Sequence, residues 1–136
     1  MAKHILRDVT VTVAGTALSD HVESVEVNIS LEDVDVTSMG ATAREHLAGL
    51  RNDEVTINFY QDFDAAKVDA TFWPLIGSTA FSVVIKPTSA AVSSTNPSFT
   101  ASCILLTYSP LAGSVGAANQ TSITLPCNGA IVRATT

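Results

Sequence analysis

Three histidines, 13 acids and two cysteines are the residues of this 136-residue chain whose chemistry could go beyond packing. Catalysis or metal binding would need them at defined spacings. His4, His21 and His46 lie far apart, and no H-x-x-x-H pair would set two imidazoles on one helical face for a metal. Glu32, Asp33 and Asp35 crowd three carboxylates, the donors a hard cation takes. A calcium loop needs a fuller set of oxygens and usually a glycine, so a solvated acidic corner is the plainer reading. Cys103 and Cys127 show no C-x-x-C spacing and no disulfide framework, and read as reduced, apolar strand cysteines. The G-x-S-x-G elbow, the phosphate loop and the dinucleotide fingerprint do not occur. The expectation is a protein without enzymatic activity, resident metal or cofactor.

Composition points the same way. Hydrophobic residues make up 46% and charged residues 15%, enough apolar surface to build a core in one domain spanning 1–136. It also leaves a lightly charged exterior, part of it suited to protein contact. Residues 1–70 carry all 13 acids and five bases, a net −8; residues 71–136 carry only Lys86 and Arg133. A basic patch for nucleic acid is therefore unsupported, and an acidic surface repels phosphates. No apolar run approaches the ~20 residues of a membrane span, and MAKHILRDV lacks the apolar stretch of a signal peptide, so the expectation is a cytoplasmic, soluble chain with no membrane anchor.

The elements that must carry these residues are mostly strands. In VTVTVAG, Val9, Val11 and Val13 alternate with threonines. ESVEVNISLED sets Val25, Val27, Ile29 and Leu31 against Ser24, Glu26, Asn28, Ser30 and Glu32, giving one packed and one wet face. EVTINFYQ repeats the pattern with Val55, Ile57 and Phe59. AFSVVIKP, SFTASCILLTYSP and QTSITLPC supply three more strands, with the apolar run from Cys103 to Leu106 suiting a strand covered on both faces. GTALSDH, TSAAVSSTNPS and LAGSVGAANQ read as turns or loops.

One helix, about residues 64–73, interrupts the β pattern: Val68, Phe72, Leu75 and Ile76 form its packing stripe. Asp62 or Asp64 would cap its start, Pro74 and Gly77 would end it, and Trp73 would pack in the core or against a sheet. Its natural task is to cover an open face or end of a β-sandwich.

Between two strand-like segments lies a stretch with neither strand nor helix period, about residues 37–53. The surrounding order has Val36, Thr37, Ser38, Met39 and Gly40, then Arg44, then Gly49 and Leu50. The alternating Val55, Ile57 and Phe59 and the helix follow. This order resembles the tail tube (major tail) proteins of long-tailed bacteriophages, with Met39 where that family often has Phe. The resemblance covers roughly Val9 to Ile85 and, more loosely, the C-terminal strands.

The resemblance implies a mainly β chain, a sandwich or barrel-like tail tube fold with one flanking helix and a long inter-strand arm. It implies self-assembly into stacked, hexameric rings forming a channel for DNA ejection in the virion tail of a phage made in bacterial cytoplasm. Tape-measure, terminator and baseplate proteins would be the partners, and DNA would pass transiently and without sequence specificity. The arm would supply the subunit and ring interface through Thr37, Ser38, Met39, Gly40, Arg44, Glu45, Leu47, Gly49, Leu50 and Arg51. Met39, Leu47 and Leu50 would be its apolar anchors, with Arg44 and Glu45 pairing to charges on an adjacent subunit. Such an arm would take its order from its neighbours. The wet strand face bearing Glu26, Asn28 and Ser30 would line the lumen. A tail terminator, or the tube protein of a contractile machine, shares the ring-forming fold. The alternative from another class is an immunoglobulin-like binding module such as a capsid decoration or carbohydrate-binding domain.

Overall fold

Alternating β-branched and aromatic residues favour strands, and the described residues form ten of them. The structure, a computed structural model, describes residues 3–136. In chain order the elements are β1 (Thr10–Val13), β2 (Thr16–Ala17), a 3-10 turn (Ser19–His21), β3 (Val22–Asn28), β4 (Leu31–Asp35), β5 (His46–Arg51) and β6 (Glu54–Tyr60). Then come α1 (Val68–Phe72), a 3-10 turn (Trp73–Leu75), β7 (Phe81–Lys86), β8 (Ser98–Cys103), β9 (Gln120–Pro126) and β10 (Val132–Ala134).

They form a five-stranded sheet in the order β10-β8-β7-β1-β2, a three-stranded sheet β3-β6-β9, and a separate two-stranded hairpin β4-β5. Every pairing between named strands is antiparallel. The two larger sheets face one another across a single core. Val11, Val13, Val83, Ala101 and Cys103 from one sheet meet Val55, Ile57, Phe59, Ile123 and Leu125 from the other, all buried. The β1-β2 turn places Ala14 and Gly15 both at positive φ, 49° and 85°, the geometry a two-residue hairpin needs to match strand twist.

The helix closes one end of the core. Val68 and Phe72 are fully buried, and the Phe72 ring centroid lies 5.4 Å from that of Phe59 and 6.1 Å from that of Tyr108. The Tyr108 hydroxyl donates to Asp69 Oδ1 at 2.8 Å, tying the helix to the segment before β9.

Several sequence expectations need correction here. The helix is shorter than 64–73, with Lys67 at its N-cap and no side-chain cap; Asp62 instead accepts the Asp64 N–H in a turn ahead of it, and Ala66 sits at φ 60°. Pro74 converts its end to the 3-10 turn, which rotates Leu75 to a half-buried position and leaves Trp73 62% and Ile76 44% exposed. The strand read through Leu31 ends at Asn28, so Ile29 and Leu31 are exposed rather than packed. The apolar run after Cys103 leaves the sheet: Leu105 is buried, bridged to Ile76, while Leu106 is exposed. The segment GTALSDH, read as a turn, holds β2.

Cys103 and Cys127 are free thiols, Sγ to Sγ 3.8 Å, on backbones that bridge one another. Burial pushes both thiols up from the ordinary value, Cys103 the more strongly, which suits packing and not nucleophilic chemistry.

Candidate functional site

The stretch without a clear period is an ordered β-hairpin. β4 and β5 pair with each other and with neither large sheet: Leu31 faces Arg51, Asp33 faces Ala48, Val34 faces Leu47 and Asp35 faces His46. A register shift between Leu31 and Asp33 breaks the alternation, which is why the sequence of β5 carries no legible period. None of the described residues covers the hairpin's apolar side chains. Leu31, Val34, Val36, Leu47 (60%) and Leu50 (80%) are exposed, and Met39 at its tip is fully so. Its two faces differ in chemistry: Val34 and Leu47 share one, while Asp33, Asp35 and His46 share the other.

The arm was expected to lack order of its own; a hydrogen-bond network corrects that. The Thr37 hydroxyl donates to Asp35 Oδ1 at 2.6 Å and accepts the Glu45 N–H at 2.8 Å, and the Thr37 N–H donates to the same Asp35 oxygen at 2.9 Å. Arg44 Nη1 donates to Asp35 Oδ2 at 3.0 Å, so its partner lies within its own hairpin. The Thr37 hydroxyl, then the Thr37 N–H, and after them Arg44, hold the Asp35 carboxyl below its ordinary value. His46 Nδ1 lies 2.7 Å from Asp33 Oδ1 across the strands. The tip turns at Ser38, Met39 and Gly40, with the Ala41 N–H returning to Ser38 O and Gly40 at φ 84°. Gly49 is required by close approach: a Cβ there would sit 3.0 Å from Glu32 Cβ and from Val34 Cγ2, and 3.2 Å from Glu32 O.

The root of the arm holds a residue that pattern reading does not single out. Asp53 has a fully buried side chain, and Arg51 donates to both its oxygens. The Ile131 N–H adds a third bond at 2.9 Å, and the Cys127 N–H donates to the Asp53 carbonyl at 3.0 Å. Burial is the largest influence and raises the Asp53 pKa, but the Ile131 N–H and Arg51 together outweigh it and keep the carboxyl below its ordinary value. Ser30 also belongs here and not to the wet sheet face: it lies beyond β3, its hydroxyl donating to Asn52 O at 2.7 Å.

The outward face of the three-stranded sheet is a second feature. Register aligns Ser24 with Asn58 and Ser122, Glu26 with Thr56 and Thr124, and Asn28 with Glu54 and Pro126. Asn58 donates to Ser24 Oγ at 2.6 Å across the strands. This face carries two acids, Glu26 and Glu54, and no base. On the outward positions of β1, β7 and β8, Thr10, Thr12, Ser82, Val84, Thr100 and Ser102, the one ionisable group is Lys86.

His21, read only as a turn residue, is a cross-brace. Its Nδ1 lies 2.8 Å from Asp20 and its Nε2 2.7 Å from Asp62, which joins the start of β3 to the segment ahead of α1. The Asp20 carboxylate, opposed by burial and helped by Asp62, raises its pKa. The pairing with Asp62 spans 41 positions, beyond the reach of any local pattern. Among the described residues no group of three or more His, Cys, Asp or Glu could hold a metal ion, and no helix is long and apolar enough to cross a membrane.

No protein-family model and no curated protein matches the sequence. Solved structures do match the fold. The SPP1 tail tube aligns with 98% of this chain and 80% of its own, at TM-score 0.76 and 12% identity. The tube-sheath complex of an extracellular contractile injection system, PVC, in its extended state aligns with 98% and 93%, at 0.72 and 12%. The tail of an empty gene transfer agent particle, determined with C6 symmetry, aligns with 82% and 81%, at 0.64 and 17%. The immunoglobulin-like alternative draws no support from these neighbours. Over nearly its whole length, this chain has the tail tube fold.

Proposed function

We propose that this chain is a structural virion protein that assembles into stacked, six-subunit rings forming the tube of a phage-like tail, the channel through which DNA leaves the particle. The observation that carries the reading is the arm: a hairpin with internal order, paired with neither large sheet, and with apolar residues that none of the described residues cover. An isolated two-stranded hairpin is marginal in water, so a subunit that keeps one needs a partner to cover it. Fold likeness to the SPP1 tail tube and to the C6 tail of the gene transfer agent supports a ring of copies as that partner. Ring closure also pairs or covers the free edges β3 and β9, which would otherwise template aggregation.

The lumen is assigned to the outward face of β3-β6-β9. A wall of Ser, Thr, Asn and Gln with Tyr60 and Pro126 at its ends, and Glu26 and Glu54 as its only charges, gives phosphates no cation to bind, and DNA slides past it. The five-stranded sheet, with Lys86 outward, is the poorer wall. Tape-measure, terminator and baseplate proteins are the partners this role requires, and a structural role leaves no work for an active site.

Excising the arm tests the proposal. A chain in which Leu31 is joined to Arg51 by a short glycine linker, which keeps the Arg51–Asp53 pair, should keep its melting transition but yield no rings or tubes by electron microscopy. Tubes formed without the arm would refute the role given to it.

A further inference from the structure

We infer that Cys103 and Cys127 are an oxidative modification site, two thiols set to close into an intramolecular disulfide when the surroundings turn from reducing to oxidising. The backbone carries the inference. Cys103 ends β8, in the five-stranded sheet, and Cys127 follows β9, in the three-stranded sheet. They face one another in an antiparallel bridge, flanked by the Ile104 N–H donating to Pro126 O at 3.2 Å and the Asn128 N–H donating to Ser102 O at 2.6 Å. Both hydrogen bonds lie outside the pair and none joins the two cysteine backbones directly, which makes this a non-hydrogen-bonded antiparallel pair. Such pairs hold their Cα atoms about 4.5 Å apart with both side chains on one side, within the roughly 4.4–6.8 Å that a disulfide spans. The two Sγ atoms already lie 3.8 Å apart.

The bond ties the two sheets together covalently beside the root of the arm, because the Cys127 N–H donates to Asp53 O at 3.0 Å. It joins residues 24 positions apart, so it removes conformations from the unfolded chain and stabilises the folded one. With a small-molecule disulfide as oxidant, the half-buried Cys127 loses its proton and attacks one reagent sulfur, releasing one reagent thiol. Buried Cys103 then loses its proton and attacks Cys127 Sγ, expelling the second. Two protein S–H bonds and the reagent S–S bond are exchanged for one protein S–S bond and two reagent S–H bonds, and the protein gives up two electrons. Burial raises both thiols, so the reaction is slow near neutral pH and quickens as pH rises. The site stands on geometry alone. Only its use rests on the tube reading, in which the chain is made in a reducing cytoplasm and works in a released particle.

The experiment uses the purified full chain, reduced and then freed of reductant. It is incubated with oxidised glutathione at about pH 8, where thiolate begins to form, and afterwards alkylated in denaturant. The expected product is monomeric by mass, has lost a pair of hydrogens, carries no alkyl group, and melts at least about 5 °C above the reduced chain. Cys127→Ser, at a half-buried position, should fold and show no such rise after the same treatment. Two alkylated thiols, a product stopped at the glutathione adduct, or an oxidised chain melting no higher than the reduced one would overturn the inference. Each of these outcomes leaves the tube reading standing, since that reading fails only if the wild type forms no tubes with tail-initiation partners present.

Discussion

Arg51 donates to both oxygens of Asp53, Nη2 to Oδ2 at 2.6 Å and Nε to Oδ1 at 3.3 Å, and fixes the root of the arm to the core. The pair is asymmetric, because the Arg51 side chain is 35% exposed and that of Asp53 is fully buried. Removing either partner therefore has different consequences. Arg51→Ala strands a buried carboxylate and should destabilise by about 3–5 kcal/mol, whereas Asp53→Ala lets the guanidinium turn to water and should cost about 1–3 kcal/mol, chiefly for the unpaired Ile131 N–H. Denaturant titrations of both variants check the order; a smaller loss for Arg51→Ala would contradict it.

Gly49→Ala separates the arm from the rest of the fold. The added methyl must push β4 away from β5, in a hairpin that pairs with neither large sheet and is tied to the core at its root by Arg51. Its effect on the melting transition should stay within about 1 kcal/mol, while tube yield falls sharply. Normal tubes from this variant would mean that the hairpin's geometry is not what neighbouring copies recognise.

The His21 brace predicts a pH dependence of defined sign. Its folded pKa is raised, so its contribution is complete below the ordinary value of 6.5 and is lost as pH rises through the higher folded value. The Asp20 and Asp62 carboxylates are lowered, by their hydrogen bonds from His21 and, for Asp62, first from the Asp64 N–H, so their contribution is lost only at acidic pH. Wild-type stability should fall by about 1 kcal/mol more than that of His21→Gln as pH is raised from about 6 to 8. Parallel melting curves for the two proteins across that range would contradict the brace.

Glu26→Lys probes the lumen assignment. It puts a cation midway along the edge strand β3 of the β3-β6-β9 face, beside Thr56, with Thr124 next across on β9. Particles with this substitution should assemble normally and eject DNA more slowly, with the difference shrinking as salt is raised. Unchanged ejection kinetics would place that face on the outside of the tube.

How much of this was legible in the sequence depended on whether alternation had a partner to confirm it. Val55, Ile57 and Phe59 alternate and are buried, because β6 lies between β3 and β9. Ile29 and Leu31 continue an equally clean alternation and are exposed, because the chain leaves the sheet at Asn28 and the pattern does not register where pairing stops. Trp73 illustrates the same limit for helices: the 3-10 turn imposed by Pro74 changes the residue's direction without changing the apolar stripe. Arm residues could be named from Thr37 to Arg51, but the register shift hid the strand they form. Asp53 with Ile131 and His21 with Asp62 were out of reach, since each pairing depends on tertiary closure and not on any neighbour in sequence.

The most direct measurement is electron microscopy of the purified protein over increasing concentration, with light scattering alongside and tail-initiation partners added at the highest point. The account predicts six-fold rings that stack into hollow tubes, with the β3-β6-β9 face toward the axis once reconstructed. A protein that remains monomeric throughout, partners included, would contradict it.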